Sequence, residues 1–114
     1  MCGQTAAFAL TREGIANIRI IDRAPRGLEG PWATYARMET LRSPKHVNGP
    51  DLGVPSLTFR LWYEAQFGGE GWRALYKIPR LAWRDYLLWL RDVLGLRIEN
   101  ETRLVSLRPE RDSV

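Results

Sequence analysis

A glycine and an aspartate near the start of the chain have the types and the spacing of a nucleotide-binding pair. Gly3 opens an alanine-rich stretch, and Asp22 follows an isoleucine-rich run at 17–21. In dinucleotide-binding units the last glycine of Gly-x-Gly-x-x-Gly opens a helix whose amino terminus attracts pyrophosphate, and an acid about 20 residues later bonds the ribose hydroxyls. Gly3 and Asp22 fit these roles. Chance is the alternative, because aspartate commonly ends strands and starts turns.

The elements around this pair are predicted in the order that such a unit needs. Residues 3–13 are rich in alanine and lack a helix breaker, and Gly14 follows where a left-handed cap is expected. Residues 17–22 have the β-branched density of a strand, which the turn at 23–27 ends. The sequence therefore predicts a helix and then a strand that ends in an acid.

The rest of the chain divides into a loop-rich middle and a more regular end. Glycine and proline between 27 and 55 predict loops. Ser56 is predicted to cap a short helix that Gly68-Gly69 stops, with a brief helical turn at 72–76. The clearest helix spans 80–94, ends at Gly95 and carries its apolar residues on one face: Trp83, Tyr86, Leu87, Leu90 and Leu94. Alternating segments at 96–99 and 103–107 predict half-buried strands.

Composition excludes several classes of protein. The chain has 114 residues, of which 45% are apolar, enough for one ordinary domain. Its net charge of +4 does not point to nucleic acid, because the basic residues are scattered along the chain. One cysteine and one histidine cannot form an internal disulfide or an ordinary zinc site, which predicts a cytoplasmic protein without a metal. No apolar run is long enough to span a membrane.

Four further segments carry a resemblance to a known family. They are the stretch Asp22-Arg23-Ala24-Pro25-Arg26-Gly27-Leu28-Glu29-Gly30-Pro31-Trp32, the segment Lys77-Ile78-Pro79-Arg80, the helix through 94, and the strand-like residues at 95–98 and 102–105. Their order and spacing resemble the flavin-containing and Baeyer–Villiger-type monooxygenases over positions 1–107.

That resemblance implies FAD as the bound dinucleotide and NAD(P)H as its reductant in a complete enzyme. It implies Gly3 at the pyrophosphate turn, Asp22 on the adenosine ribose with Arg23 beside it, Gly30 and Trp32 along the flavin, and the backbone of Leu104 beside the adenine. The sequence departs from the family pattern in that Asp22 replaces the usual glutamate, Pro31 follows the glycine, and the first strand with its two glycines is absent. No catalytic residue is implied.

The fold expected from these observations is α/β: a partial Rossmann-like FAD/NAD(P)-binding domain with an inserted helical segment and its first strand missing. Positions 1–114 are expected to form one partial domain, made of the helix and second strand at 1–26, a loop-rich segment with short helices at 27–79, and the amphipathic helix with strands at 80–114. Since a parallel sheet places its first strand centrally, this chain alone is expected to bind FAD poorly and to be inactive. The expected partner is a small-molecule substrate.

Two alternatives remain at this point: a small basic module that binds nucleic acid or protein through arginine and tryptophan, and a non-functional gene remnant. The tryptophans are either stacking platforms or core and pocket walls, and the sequence favours the second interpretation. His46 is interpreted as a solvated loop histidine or an acid or base. Arg42, Lys45 and Arg80 are surface cations or anion contacts, and Cys2 is a small turn residue or a reactive thiol.

Overall fold

The described residues form three helices and one small parallel sheet. The computed structural model describes residues 1–46 and 49–110. Helix α1 spans Cys2–Arg12, strand β1 Ile20–Ile21, helix α2 Phe59–Ala74, helix α3 Arg80–Val93 and strand β2 Ile98–Glu99, with a 3-10 turn at Pro55–Leu57 before α2. Ile20 pairs with Ile98 and Ile21 with Glu99, in parallel. The sheet therefore joins the two ends of the described chain, and helices and loops fill the connection between them.

Helices α1 and α3 confirm the predictions from sequence, including where each one ends. Gly14 after α1 has a φ of +82° and Gly95 after α3 a φ of +65°. The residue that follows each glycine donates its backbone N–H to a carbonyl in the last helical turn. This arrangement satisfies the free carbonyls at a helix end and requires the left-handed conformation that glycine adopts without steric cost.

The core lies between α2 and α3 and is built mainly from aromatic side chains. Its buried members are Phe59, Trp72, Ile78, Trp83, Tyr86, Leu87 and Leu90. Tyr86 is fully buried, and its hydroxyl donates to the Leu57 carbonyl at 2.6 Å. Burial, with the nearby charge of Asp51, raises the pKa of Tyr86 well above its ordinary value. Because Trp72 and Trp83 are buried in this core, they are not available as stacking platforms for bases.

The start and the end of α2 correct two predictions. Ser56 does not cap the helix. It lies within the 3-10 turn, and Thr58 is the cap, whose hydroxyl accepts the Leu61 N–H at 3.3 Å. The helix does not stop at Gly68-Gly69 either, because Gly68 takes a φ of +72° as a kink and the helical turns resume to Ala74. The brief turn predicted at 72–76 is largely the end of this same helix.

The strands are shorter than predicted, and one does not form. The strands predicted at 17–22 and 96–99 shrink to two residues each, because a strand extends only where a neighbour supplies backbone partners. Residues 103–107, predicted as a strand, have no regular structure, and Val105 is 88% exposed. Their alternating pattern has no sheet to pack against.

Two kinds of feature are missing from the residues that the structure describes. None of the helices there is long and apolar enough to cross a membrane. Nor does that part of the chain gather three or more His, Cys, Asp or Glu side chains that could hold a metal ion.

Candidate functional site

Asp22 lies at the carboxyl end of β1, in a turn that its own side chain stabilises. Its Oδ1 accepts the Ala24 N–H at 2.8 Å. Its backbone N–H donates to the Glu99 carbonyl at 3.0 Å, and its carbonyl accepts the Thr102 N–H at 2.9 Å. The turn is thus fixed on both sides by the chain around β2. Oδ2 has no hydrogen-bond partner among the described residues, so one carboxylate oxygen remains free for a ligand.

Three of the predicted residues meet at a small cavity between α1, the sheet and α3. Gly3, Asp22 and Trp32 line this space of about 140 Å³, together with Glu29 and Arg91. No side chain caps the amino terminus of α1, so backbone N–H groups there are free to meet an anion. A methyl group added at Gly3 would lie 3.7 Å from the nearest side-chain carbon, an ordinary contact. The packing alone therefore does not require glycine at this position.

The other predicted residues line a wider cleft on the opposite side of the Asp22 turn. Arg23, Gly30 and Leu104 border this space of about 720 Å³, and Asp22 faces it as well. Gly30 has a φ of +69°, and an added Cβ would lie 3.3 Å from Nε1 of Trp32, so the loop requires glycine here. All six predicted residues line one or other of these two spaces around the Asp22 turn, and Asp22 lines both.

A buried ionic network that the sequence analysis missed lies beneath this turn. Arg91, on α3, is only 5% exposed, and its Nη1 donates to Glu29 Oε1 at 2.6 Å. Asn100 joins the two residues, since its Oδ1 accepts from Arg91 at 3.1 Å and its Nδ2 donates to Glu29 at 2.7 Å. Asn100 Nδ2 also donates to the Ala24 carbonyl at 3.0 Å. The network therefore ties the loop before Trp32, α3 and the Asp22 turn together.

The charges of this network are compensated within it. Burial acts to raise the pKa of Glu29, but hydrogen bonds from Asn100, from the local backbone including Gly27 N–H, and from Arg91 outweigh it and lower that pKa below its usual value. The glutamate is therefore ionised at neutral pH. One signal in the sequence could have revealed the network, because Arg91 stands next to Leu90 and four positions after Leu87, on the flank of the apolar face of α3.

Arg80 holds the loop that carries Trp32 rather than facing a ligand. Its Nε donates to the Met38 carbonyl at 2.8 Å and its Nη1 to the Trp32 carbonyl at 2.5 Å. Thr40 and Pro79 form an isolated antiparallel bridge beside it. Arg80 was predicted to be a surface cation or an anion contact. The structure shows a different role, because both of its described hydrogen bonds go to backbone carbonyls.

The remaining candidate residues fall into structural roles or stay exposed. Lys45 Nζ donates to the Trp72 carbonyl at 2.5 Å and lies 4.5 Å from the centre of that ring. His46 is exposed and meets the same ring edge-on at 5.9 Å. Cys2 is an exposed free thiol. Partly buried tryptophans at 32, 62 and 89 pack against the core. No acid–base pair is formed by these residues.

Comparison with known proteins gives one informative match. The chain is 57% identical over 108 residues to a FAD-dependent urate hydroxylase of Xanthomonas campestris pv. campestris, a flavin monooxygenase. This match covers 95% of the chain and 23% of the hydroxylase, so the chain spans about a quarter of the length of that relative. No protein-family model matches the chain, and no solved structure does. The resemblance to flavin-dependent monooxygenases, predicted from four motifs, is confirmed.

Proposed function

We propose that this chain is the FAD-binding part of a flavin-dependent, NAD(P)H-linked monooxygenase and that it is inactive in isolation. The observation that carries the proposal is the Asp22 turn, which leaves one carboxylate oxygen free at the carboxyl end of a parallel strand. Open parallel sheets bind nucleotides at this end of their strands. The similarity to the FAD-dependent hydroxylase supports the identity of the nucleotide. The partial Rossmann-like fold and its three segments are part of the same proposal.

The residues present fit the adenosine diphosphate half of FAD. Asp22 would accept hydrogen bonds from the ribose hydroxyls, and the uncapped amino terminus of α1 at Gly3 would meet the pyrophosphate. Arg23, Gly30 and Leu104 would border the nucleotide in the wider cleft, with Trp32 on the flavin side. Bound FAD would supply the two-electron redox chemistry, and these residues would bind and orient it.

The substrate that we propose is a small molecule of the urate class, since the Xanthomonas relative is a urate hydroxylase. This chain offers no pair of described side chains placed as acid and base, so the reacting groups are expected in the part of the protein that corresponds to the rest of the relative. Cytoplasmic location, suggested by the single cysteine, and the absence of nucleic-acid binding both stay predictions.

A chimeric enzyme tests the proposal directly. The matched residues of this chain replace the corresponding segment of the Xanthomonas hydroxylase, and bound flavin is measured by visible absorbance. We expect the chimera to retain flavin and the isolated chain to bind little. In the chimera, Asp22→Ala should weaken FAD binding about tenfold or more, because a hydrogen bond to a charged group contributes roughly 1.5–3 kcal/mol.

Asp85→Ala is the matched control, since Asp85 is an exposed carboxylate on α3 that lines neither space around Asp22. It should leave FAD binding unchanged. A folded chimera without flavin, or an Asp22→Ala chimera that binds FAD as tightly as the parent, would overturn the proposed function.

A further inference from the structure

A third space, separate from the two around Asp22, lies between α1 and the loop that follows Trp32. It has a volume of about 1070 Å³. The small residues Thr5, Ala6 and Ala9 of α1 form one wall. Large apolar side chains face them from the rest of the chain, namely Trp32, Ile78 and Trp83. The lining is therefore mostly apolar and has room for a flat molecule beside an aromatic ring.

The charged side chains in this lining all have the same sign. They are Arg37 and Arg42, and no carboxylate lines the cleft among the residues that the structure describes. Both arginines are exposed, and neither guanidinium has a hydrogen bond or ion pair to a described residue. Five arginines outside the cleft pair with carboxylates, namely Arg19, Arg26, Arg60, Arg84 and Arg91. The cleft thus concentrates uncompensated positive charge beside apolar walls.

We propose that this cleft binds a flat heterocyclic anion, with Arg37 and Arg42 on its oxygen-bearing edge. Guanidinium groups present paired N–H donors that match carbonyl and oxyanion edges, while the apolar walls cover the faces of the ring. An oxidised purine such as urate, an anion at neutral pH, has this chemistry. The inference rests on the proposed function and places the substrate of that function in the cleft between α1 and the loop after Trp32.

Trp32 connects this cleft with the candidate cofactor site. It lines both the third space and the cavity that Gly3 and Asp22 share. Because Arg80 bonds its carbonyl, the position of Trp32 is fixed between the two. A ligand in the cleft would therefore share the Trp32 wall with the cavity proposed for the cofactor.

Titration of the purified chain tests the binding step without requiring the cofactor. Urate is added while backbone amide signals are followed by NMR, with hypoxanthine as an uncharged counterpart of similar shape. We expect urate to shift signals from α1 and from residues 37–46, and added salt to weaken its binding. The double variant Arg37→Gln/Arg42→Gln should bind urate at least about tenfold more weakly, as expected for loss of charged hydrogen bonds.

Arg73→Gln is the matched control, because Arg73 is an exposed arginine on α2 outside the cleft lining. It should leave urate binding unchanged, and all variants should melt at the same temperature. The inference is overturned if urate shifts no signals from the cleft, if the double variant binds it as tightly as the parent, or if hypoxanthine binds equally well.

The chimeric hydroxylase separates this inference from the proposed function. The double variant placed in the chimera should keep its flavin and raise KM for urate with a smaller change in kcat. Loss of flavin from the unsubstituted chimera, with urate binding by the chain intact, would count against the cofactor assignment alone. Retained flavin with an unchanged KM in the double variant would count against the arginines alone.

Discussion

Replacing Arg91 with methionine should be the most destabilising change on the polar side of α3. Methionine keeps the unbranched, apolar part of the side chain and removes the guanidinium. Glu29 would then keep its hydrogen bonds from Asn100 and from Gly27 N–H but lose the positive charge that faces it at 2.6 Å. Its carboxylate would stay largely buried and uncompensated, which is costly in a protein interior.

The magnitude follows from the burial of the pair. The Arg91 and Glu29 side chains are 6% and 18% exposed. Removing one member of a buried pair costs about 3–5 kcal/mol, and the residual exposure of Glu29 places this case near the lower end, at about 3 kcal/mol. For a domain of this size that corresponds to a decrease in melting temperature of roughly 12 °C or more.

An exposed ion pair between the turn after β1 and the same helix provides the matched control. Arg26 and Asp92 meet at 2.7 Å, but their side chains are 61% and 62% exposed. Arg26→Met should cost less than about 0.5–1 kcal/mol, because solvent screens exposed pairs. The free energy of unfolding of each variant is measured with urea. The same measurement on Glu29→Gln, with and without Arg91→Met, gives the coupling energy of the buried pair, which we expect to exceed about 1 kcal/mol.

Equal losses of stability in Arg91→Met and Arg26→Met would show that burial does not set the strength of these ion pairs. Simple addition of the effects of Glu29→Gln and Arg91→Met would show that the two residues are not coupled. Circular dichroism of each variant at low temperature checks that the folded states remain comparable.

Two further predictions concern pH and glycine. The pKa of Glu29 is lowered on folding from its ordinary value of 4.5, so its stabilising contribution is complete above that value and is lost as pH falls through the folded pKa. The urea midpoint of the parent should therefore approach that of Glu29→Gln as the pH falls below 4.5, and a constant difference between the two would contradict this expectation. Gly95→Ala should destabilise the fold by about 1–2 kcal/mol in thermal melting, because a φ of +65° is strained for alanine even though nothing lies within 4 Å of the new methyl group. Gly3→Ala should leave the melting temperature unchanged. Equal effects of the two substitutions would show that backbone conformation does not decide the loss of stability.

Local patterns predicted the parts of this fold that depend on neighbouring residues. The limits of α1 followed from its alanine-rich sequence and from Gly14, and those of α3 from its apolar periodicity and from Gly95. The left-handed conformation of each glycine depends only on the adjoining helical turn. The cap of α2 was misassigned to Ser56 because Thr58, two positions later, has an equivalent hydroxyl. Local sequence does not decide between two capping residues so close together when a proline precedes them and begins its own turn.

Features that depend on distant partners could not be predicted in the same way. The length of β1 depends on how much of β2 runs beside it, and the alternation at 103–107 says nothing about whether a neighbouring strand exists. At the candidate site, motif spacing led to Gly3 and Asp22, which lie around one cavity. The Glu29–Arg91–Asn100 network was missed because its members are far apart in sequence, and no short motif describes them.

The long-range bonds of the Asp22 region have a consequence for folding order and ligand affinity. Gln4 donates to the Leu87 carbonyl across 83 positions, and Asn100 reaches the Ala24 carbonyl across 76. Closing such large loops costs entropy, whereas α2 and α3 meet through a short connection, so the first 26 residues are expected to dock late and to open first. A nucleotide would then bind only the docked population, and its apparent affinity would be the intrinsic one multiplied by that fraction. Residues such as Arg91, which need never touch the nucleotide, would in this way help set how tightly it is held.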